Sequence, residues 1–67
     1  MKLSYLEYFL DVVKFGSISK AAEANYLKQG NLSRYMKYTE DDFNTTLFTR
    51  SSKGVELTPE GEKVYLW

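Results

Sequence analysis

Residues 26–37 read YLKQGNLSRYMK and contain side chains that match the hydrogen-bonding edges of nucleic-acid bases. A glutamine amide can pair bidentately with adenine and an arginine guanidinium with guanine, while a serine hydroxyl suits either base. Gln29, Ser33 and Arg34 carry these groups, and Gly30 among them would let a helix backbone approach a groove floor without a Cβ. On an arbitrary protein the same set is an ordinary solvated helix face. The neighbouring elements have to decide between the two interpretations.

The apolar residues of this region predict which side of it faces outward. Leu32, Met36 and Phe43 fall in one narrow sector at about 100° per residue, which is typical of an amphipathic helix. Thr39 shares that sector as its weak point, and Asn44 offers a left-handed stop. The opposite side carries the candidate base contacts, which are Gln29 at the border, Gly30, Ser33 and Arg34, with Lys37 beside them.

Two helices are predicted before this one. The segment LSYLEYFLDVVKF has apolar residues at helical spacing, and we expect an inward face formed by Leu3, Leu6, Phe9, Leu10 and Val13. Gly16 can end that helix in the left-handed conformation. In SISKAAEAN, Ser17 or Ser19 can cap the second helix and Asn25 can stop it. The inward face of the second helix is expected to consist of Ile18, Ala21 and Ala22.

A hairpin and a fourth helix are predicted after it. TLFTR and GVELT are short β-prone runs separated by SSK, and Gly54 supplies the freedom for a turn. Thr58 as N-cap, Pro59 at the first position and Glu60 in the first turn form a helix start. The order of elements predicts a mainly α fold of the winged helix-turn-helix class. It would have a three-helix core, a two-stranded β wing and the start of a C-terminal linker helix.

Composition limits the functions that this chain can have. Its 67 residues suffice for one small domain, and the absence of cysteine and histidine excludes disulfides, the usual zinc sites and Cys–His or Ser–His catalysis. Glu40, Asp41 and Asp42 are consecutive, so on a helix they diverge and cannot hold one metal. We therefore expect no enzyme, no metal and no cofactor. No apolar run approaches the roughly 20 residues of a membrane span, so we expect a cytoplasmic protein with no membrane partner.

The net charge is zero, with nine basic and nine acidic residues, which alone argues against a nucleic-acid partner. The charges are segregated, however. From Lys14 to Lys37 there are five basic residues and one acid, and residues 44–55 add Arg50 and Lys53 without an acid. This distribution predicts a positive face at which a partner would bind.

Taken together, FGSISKAAEAN, YLKQGNLSRYMKYTED and LFTRSSKGVELTPEGE resemble the N-terminal DNA-binding domain of LysR-type transcriptional regulators, collinearly from Leu3 to Glu62. The resemblance implies a transcription factor domain that binds double-stranded DNA sequence-specifically. A winged-helix module for protein–protein interaction, without DNA binding, is the alternative that zero net charge and the many aromatic residues leave open.

The resemblance also assigns roles along the chain. The winged helix-turn-helix domain would occupy residues 1–58, with the helix-turn-helix itself from Ile18 to Lys37. The recognition helix, about 28–42, would enter the major groove, and the wing, 50–54, would touch the flanking backbone. Residues 59–67 would begin the linker helix.

DNA backbone contacts are expected from Lys20, Lys28, Asn31, Lys37, Arg50, Ser51, Ser52 and Lys53. For the wing the alternative is a polar hairpin turn. A separate alternative for Arg50 is that it pairs with an acid such as Glu40 and holds the hairpin against the third helix. For Lys20 the alternative is a solvated surface residue. Core-edge packing is expected for most of Tyr5, Tyr8, Tyr26, Tyr35 and Tyr38, with backbone contact by Tyr35 or Tyr38 as the alternative.

The chain departs from the family pattern in the recognition helix. The family usually has a capping serine where Lys28 stands, and loss of such a cap costs about 0.5–2 kcal/mol. It often has proline or a small residue at the positions of Gly30 and Asn31, leucine at Thr39 and glycine at Asn44. We therefore expect a recognition helix of lower intrinsic stability, with base preferences particular to this chain.

Three apolar residues near the C-terminus have no place in a three-helix core. These are Val64, Leu66 and Trp67, and we expect them on a dimer seam. The family resemblance implies a homodimer through the linker helix, with tetramers possible in full-length proteins. Because the chain ends inside that helix, we expect a fragment without the family's effector-binding domain. A small-molecule effector would act only through that missing domain. A natural short protein is the alternative.

Overall fold

Four helices and one two-stranded antiparallel sheet form the part of the chain that the computed structural model describes, residues 3–51 and 54–66. In chain order they are α1 (Leu3–Phe15), α2 (Ile18–Ala24), α3 (Gln29–Phe43), β1 (Phe48–Ser51), β2 (Gly54–Leu57) and α4 (Pro59–Leu66). This order confirms the predicted winged helix-turn-helix fold, with a three-helix body, a two-stranded wing and a following helix.

The predicted boundaries of α1 and α2 are confirmed. Gly16 has φ +64° and its N–H donates back into α1 at 2.9 Å, so it ends α1 in the left-handed conformation. Ser17 caps α2, since its Oγ accepts from the Lys20 N–H at 3.1 Å. Asn25 ends α2, and its Nδ2 donates to the Asp11 carboxylate at 2.8 Å. This last contact fixes the end of α2 to α1.

The core lies where α1, α2 and α3 meet the first residues of the hairpin. Its buried apolar side chains are Phe9, Val12, Ile18, Ala21, Ala22, Leu32, Met36, Leu47 and Phe48. The inward face predicted for α2 is confirmed, but that of α1 is partly wrong. Leu3 is 74% exposed and Leu10 is 47% exposed, whereas Val12 is fully buried. Because α1 is apolar on more than one side, periodicity alone could not select the side that packs against its neighbours.

The inward face of α3 is largely as predicted. Leu32 and Met36 are buried, and Phe43 is half-buried against the edge of the core. Thr39 is also fully buried, but its hydroxyl donates to a backbone carbonyl one turn earlier at 3.0 Å, so the polar atom in this apolar sector is satisfied. Asn44 ends α3 with φ +53°, which confirms the left-handed stop.

The wing is fixed to the helical body at the turn between α1 and α2. β1 and β2 are antiparallel and in register, with Arg50 opposite Val55. The Val55 N–H donates to the Gly16 carbonyl at 3.1 Å. Gly54 has φ +120°, and a Cβ there would overlap the same Gly16 carbonyl oxygen. Only glycine therefore fits where the hairpin approaches this turn.

Thr58 sets the position of α4 relative to the hairpin. Its Oγ1 accepts from the Gly61 N–H at 2.9 Å, which confirms the predicted N-cap, and donates to the Thr46 carbonyl at 2.6 Å. Gly61 is buried, and a Cβ there would overlap the carbonyl oxygen of Leu47. The first turn of α4 therefore packs directly on the backbone that leads into β1.

The C-terminal apolar residues only partly follow the prediction. Val64 is half-buried and packs against the core, so the expectation that it has no room there is wrong. The close approach of α4 at Gly61 makes that room. Leu66 is 80% exposed, and Trp67 lies outside the described residues.

Four of the five tyrosines noted above pack together between α1 and α3. Tyr5 stacks on Tyr35 with ring centroids 4.8 Å apart, and Tyr8 and Tyr38 flank this pair. Tyr26 does not follow the expectation of core-edge packing, because it is 97% exposed and has φ +58°. It lies in the turn before α3, where the chain reverses with a left-handed residue.

Candidate nucleic-acid interface

The N-terminus of α3 has no side-chain cap. Lys28 has the extended backbone of a cap residue (φ −75°, ψ 143°), but its side chain makes no capping hydrogen bond. The N–H groups of Asn31 and Leu32 donate to the Lys28 carbonyl at 3.0 and 3.1 Å. Within the described part of the chain, the N–H groups of Gln29 and Gly30 have no such acceptor, so they point out of the helix with its positive dipole end.

The predicted base contacts share the outward side of α3. Gln29, Gly30 and Arg34 are exposed, and Ser33 is half-buried. Nothing lies within 4 Å of a Cβ built on Gly30, so the helix surface is open at this position. Arg34 is not free on this surface, because its Nη2 donates to Asn31 Oδ1 one turn earlier. Asn31 was expected at the DNA backbone, and here its side chain holds the guanidinium.

A hydrogen bond joins the wing to the same face of α3. Arg50 on β1 donates from Nη2 to the Ser33 Oγ at 2.8 Å. The expected alternative partner of Arg50, Glu40, accepts instead from the backbone N–H groups of Leu47 and Phe48 at 2.7 and 3.3 Å. The predicted pairing of Arg50 with Glu40 is therefore wrong, although Arg50 does contact α3. Glu40 faces the start of β1, and Arg50, further along the strand, reaches Ser33, which lies nearer the N-terminus of α3.

An open cleft of about 190 Å³ lies beside these groups. It is lined by residues of the α1–α2 turn, of α2, of the first turn of α3 and of the wing, namely Ser17, Ile18, Ser19, Gln29, Arg50, Ser51, Gly54 and Val55. A larger depression of about 440 Å³ lies at the other end of α3. Its lining includes Glu40 and Asp41, whose carboxylates disfavour a polyanion. The cleft beside the wing is the better complement to one.

Of the predicted backbone contacts, Asn31 and Arg50 are hydrogen-bonded to predicted base contacts, and the three lysines lie around them. Lys20, Lys28 and Lys37 are exposed on α2, on the turn and on α3. Arg50 and Ser51 are exposed on β1. Ser52 and Lys53, also predicted to contact the backbone, lie outside the described residues.

Three features of this face were not predicted. The contact between Asn31 and Arg34 has the i, i+3 spacing of helix neighbours, and that spacing could have revealed it. Arg50 and Ser33 are 17 residues apart, and no local pattern indicates their contact. The exposure and left-handed backbone of Tyr26 are not indicated by the apolar periodicity or by the turn residues around it.

Two further properties concern the described residues as a set. Residues 3–51 and 54–66 contain no group of three or more acidic, histidine or cysteine side chains that could hold a metal ion. Over the same ranges, no helix has the length and apolarity needed to cross a membrane.

Comparisons with known proteins agree on one family. The family model described as bacterial regulatory helix-turn-helix protein, lysR family, matches residues 3–62. The HTH-type transcriptional regulator BudR of Klebsiella aerogenes is 42% identical over 65 residues, which are 97% of this chain and 46% of BudR. The chain thus spans less than half the length of this relative.

Solved structures agree with the sequence comparison. The crystal structure of the BenM DBD in complex with catB site 1 DNA has a TM-score of 0.92 and 38% identity, over 98% of this chain and 74% of that one. Vibrio fischeri DarR, crystallised in complex with DNA, has a TM-score of 0.93 and 35% identity, over 98% of this chain and 23% of that one.

Proposed function

The chain belongs to the lysR family of bacterial regulatory helix-turn-helix proteins, and we propose that it binds double-stranded DNA sequence-specifically as the DNA-binding domain of a transcriptional regulator. The observation that carries this proposal is its likeness to relatives crystallised with DNA, which extends over 98% of the chain. Those complexes also favour DNA binding over the alternative of a protein–protein module, although the net charge is zero.

In this proposal α3, with residues 28–42 as the recognition helix, enters the major groove. Arg34 would pair with guanine and Gln29 with adenine, while Ser33 would contact a base of the same site. Gly30 would let the helix backbone approach the base edges closely. The open surface at Gly30 and the exposed positions of Gln29 and Arg34 support these assignments.

The surrounding cations would contact the phosphates. Lys20, Lys28 and Lys37 are proposed to flank the groove, with Asn31 beside them and the wing, 50–54, on the adjoining backbone. The uncapped N-terminus of α3 supports this, because free N–H groups and the helix dipole attract phosphate. Arg50 and Ser51 extend the same surface, and the proposal also includes Ser52 and Lys53 from the sequence.

Further parts of the proposal concern the longer protein. Residues 1–58 would form the DNA-binding unit, and 59–67 would begin a helix that joins two copies through Leu66 and Trp67, with Val64 shared between this seam and the core. A small-molecule effector would act only through a domain outside this chain. We propose a cytoplasmic regulator, associated with the nucleoid, that has no catalytic activity, as its relatives are transcriptional regulators.

Salt-dependent binding tests the proposal. Fluorescence anisotropy with labelled duplexes should give affinity at low salt for any sequence, falling linearly in log–log form with a slope of about −0.9 per neutralised phosphate. Random-site selection with the same chain should then enrich one half-site sequence. No binding of any duplex at low salt would exclude the proposal. Self-association of that non-binding chain would favour the protein–protein alternative.

A further inference from the structure

We propose that Arg50 is a positioning residue: it fixes Ser33 as a hydrogen-bond donor and thereby determines which base Ser33 prefers. The inference rests on the proposed DNA binding and goes beyond it, since it assigns a base preference to one position. Its basis is the 2.8 Å hydrogen bond from Arg50 Nη2 to Ser33 Oγ.

The chemistry of a hydroxyl group gives this contact its consequence. A serine hydroxyl has one proton to donate and two acceptor lone pairs on its oxygen. A guanidinium only donates, so the Ser33 oxygen is the acceptor in this pair and its proton points elsewhere. Among the described residues, the bond to Arg50 is the hydrogen bond that the Ser33 side chain makes. The hydroxyl proton therefore has no acceptor among the described residues and can be donated to a ligand.

Both ends of the contact are held by the fold. Ser33 follows Leu32, which is fully buried in the core, so the position of Ser33 on α3 is fixed. Arg50 lies opposite Val55 in the wing, and the Val55 N–H is bonded to the Gly16 carbonyl at 3.1 Å. The backbone that carries the guanidinium is thus fixed to the helical body before any ligand binds.

A serine held as a donor distinguishes bases that a freely rotating serine does not. In the major groove guanine presents only acceptors (N7 and O6) and thymine presents O4, whereas cytosine presents the N4 amino group, which is a donor. We therefore expect guanine or thymine at the base that faces Ser33. Cytosine should be disfavoured, because its amino group would have to share the Ser33 oxygen with the cationic guanidinium. Adenine, with one acceptor and one donor, should be intermediate.

The test measures the affinity of the chain for duplexes in which each position of the selected half-site carries all four bases. Wild type should discriminate against cytosine at one position by about threefold to tenfold, the range of a single hydrogen bond. Ser33→Ala should remove that discrimination. Arg50→Ala should remove it at the same position, because the released hydroxyl can rotate and accept from cytosine. The double variant should show the same base preference at this position as either single variant, because both substitutions remove the same interaction.

Lys20→Ala is the matched control, since it removes an exposed cation from another element that faces the same ligand. It should lower affinity for all duplexes by one common factor and leave every base preference in place. If Arg50→Ala behaves like Lys20→Ala, Arg50 is only a phosphate contact and the inference is wrong, while DNA binding stands. If wild type binds no duplex, the proposed function itself fails. Thermal unfolding of Arg50→Ala, an exposed site, separates a lost contact from a lost fold.

Discussion

Asn31 lies one helical turn before Arg34 on α3 and accepts a hydrogen bond from its Nη2. A proline or alanine would leave the guanidinium without this partner. The side chain with the strongest capacity to recognise guanine is therefore oriented by Asn31.

Arg34→Ala should lower the affinity for the selected site by about 1–3 kcal/mol, because the proposed bidentate base contact would be lost. Asn31→Ala should have a smaller effect in the same direction, since the guanidinium keeps its charge but must be ordered on binding. Binding isotherms with the selected and a scrambled duplex measure both effects. Equal losses on the two duplexes would mean that Arg34 contacts only phosphate and that the orientation assigned to α3 is wrong.

Lys28→Ser should stabilise the chain and weaken DNA binding at once. The backbone of Lys28 already has the extended conformation of a cap residue, so a serine there can accept from the free N–H groups and contribute about 0.5–2 kcal/mol. The same change removes a cation from the proposed interface. Urea unfolding and anisotropy give the two quantities. Lys28→Ala is the control, which should lose affinity without gaining stability.

Glu40→Ala should destabilise the fold by about 1–3 kcal/mol, because the Leu47 N–H, on a fully buried residue, would lose its acceptor. Glu40→Gln keeps an acceptor oxygen and should cost less. The neighbouring Asp41 is exposed, and Asp41→Ala is the matched control, expected to stay within about 0.5 kcal/mol of wild type. The free energy of unfolding in urea decides the order of the three variants, and an equal effect of Glu40→Ala and Asp41→Ala would contradict it.

Gly61→Ala and Gly30→Ala should change stability in opposite directions. The added methyl group at Gly61 would overlap the Leu47 carbonyl oxygen, and such overpacking costs about 1–3 kcal/mol. At Gly30 nothing lies within 4 Å, and replacing a helical glycine by alanine contributes about 0.5–1 kcal/mol.

Gly30→Ala should also affect DNA affinity, because Gly30 lies in the proposed interface. If the backbone at Gly30 approaches base edges as proposed, Gly30→Ala should weaken specific binding although it stabilises the helix. A variant that is both more stable and fully active would show that this position does not face the groove.

The sequence was sufficient for the order of the elements and for most helix boundaries, because those depend on local chemistry. Gly16, Asn44 and Thr58 each stop or start a helix by their own backbone or side-chain properties, and each does so as predicted. Leu3 and Leu10 were misplaced because α1 has apolar residues on two sides, and the choice between them is made by elements distant in the chain.

The sequence predicted which residues lie on the candidate site but not which of them contact one another. The outward positions of Gln29 and Arg34 follow from the helical period alone. The partner of Ser33 lies on β1, and the partners of Glu40 lie at the start of β1 and immediately before it, so both pairings depend on how the hairpin is placed against α3. Sequence spacing does not specify how the hairpin is placed against α3, so the alternative partner predicted for Arg50, Glu40, was wrong.

The single hydroxyl of Thr58 joins the loop before β1 to the first turn of α4. If two copies assemble through α4 as proposed, the angle at which this helix leaves the wing determines how far apart their recognition helices lie. Thr58 and Gly61 would then set the spacing between two half-sites, and the exposed face of α3 would set their sequence. Evolution could change either property of an operator while leaving the other intact.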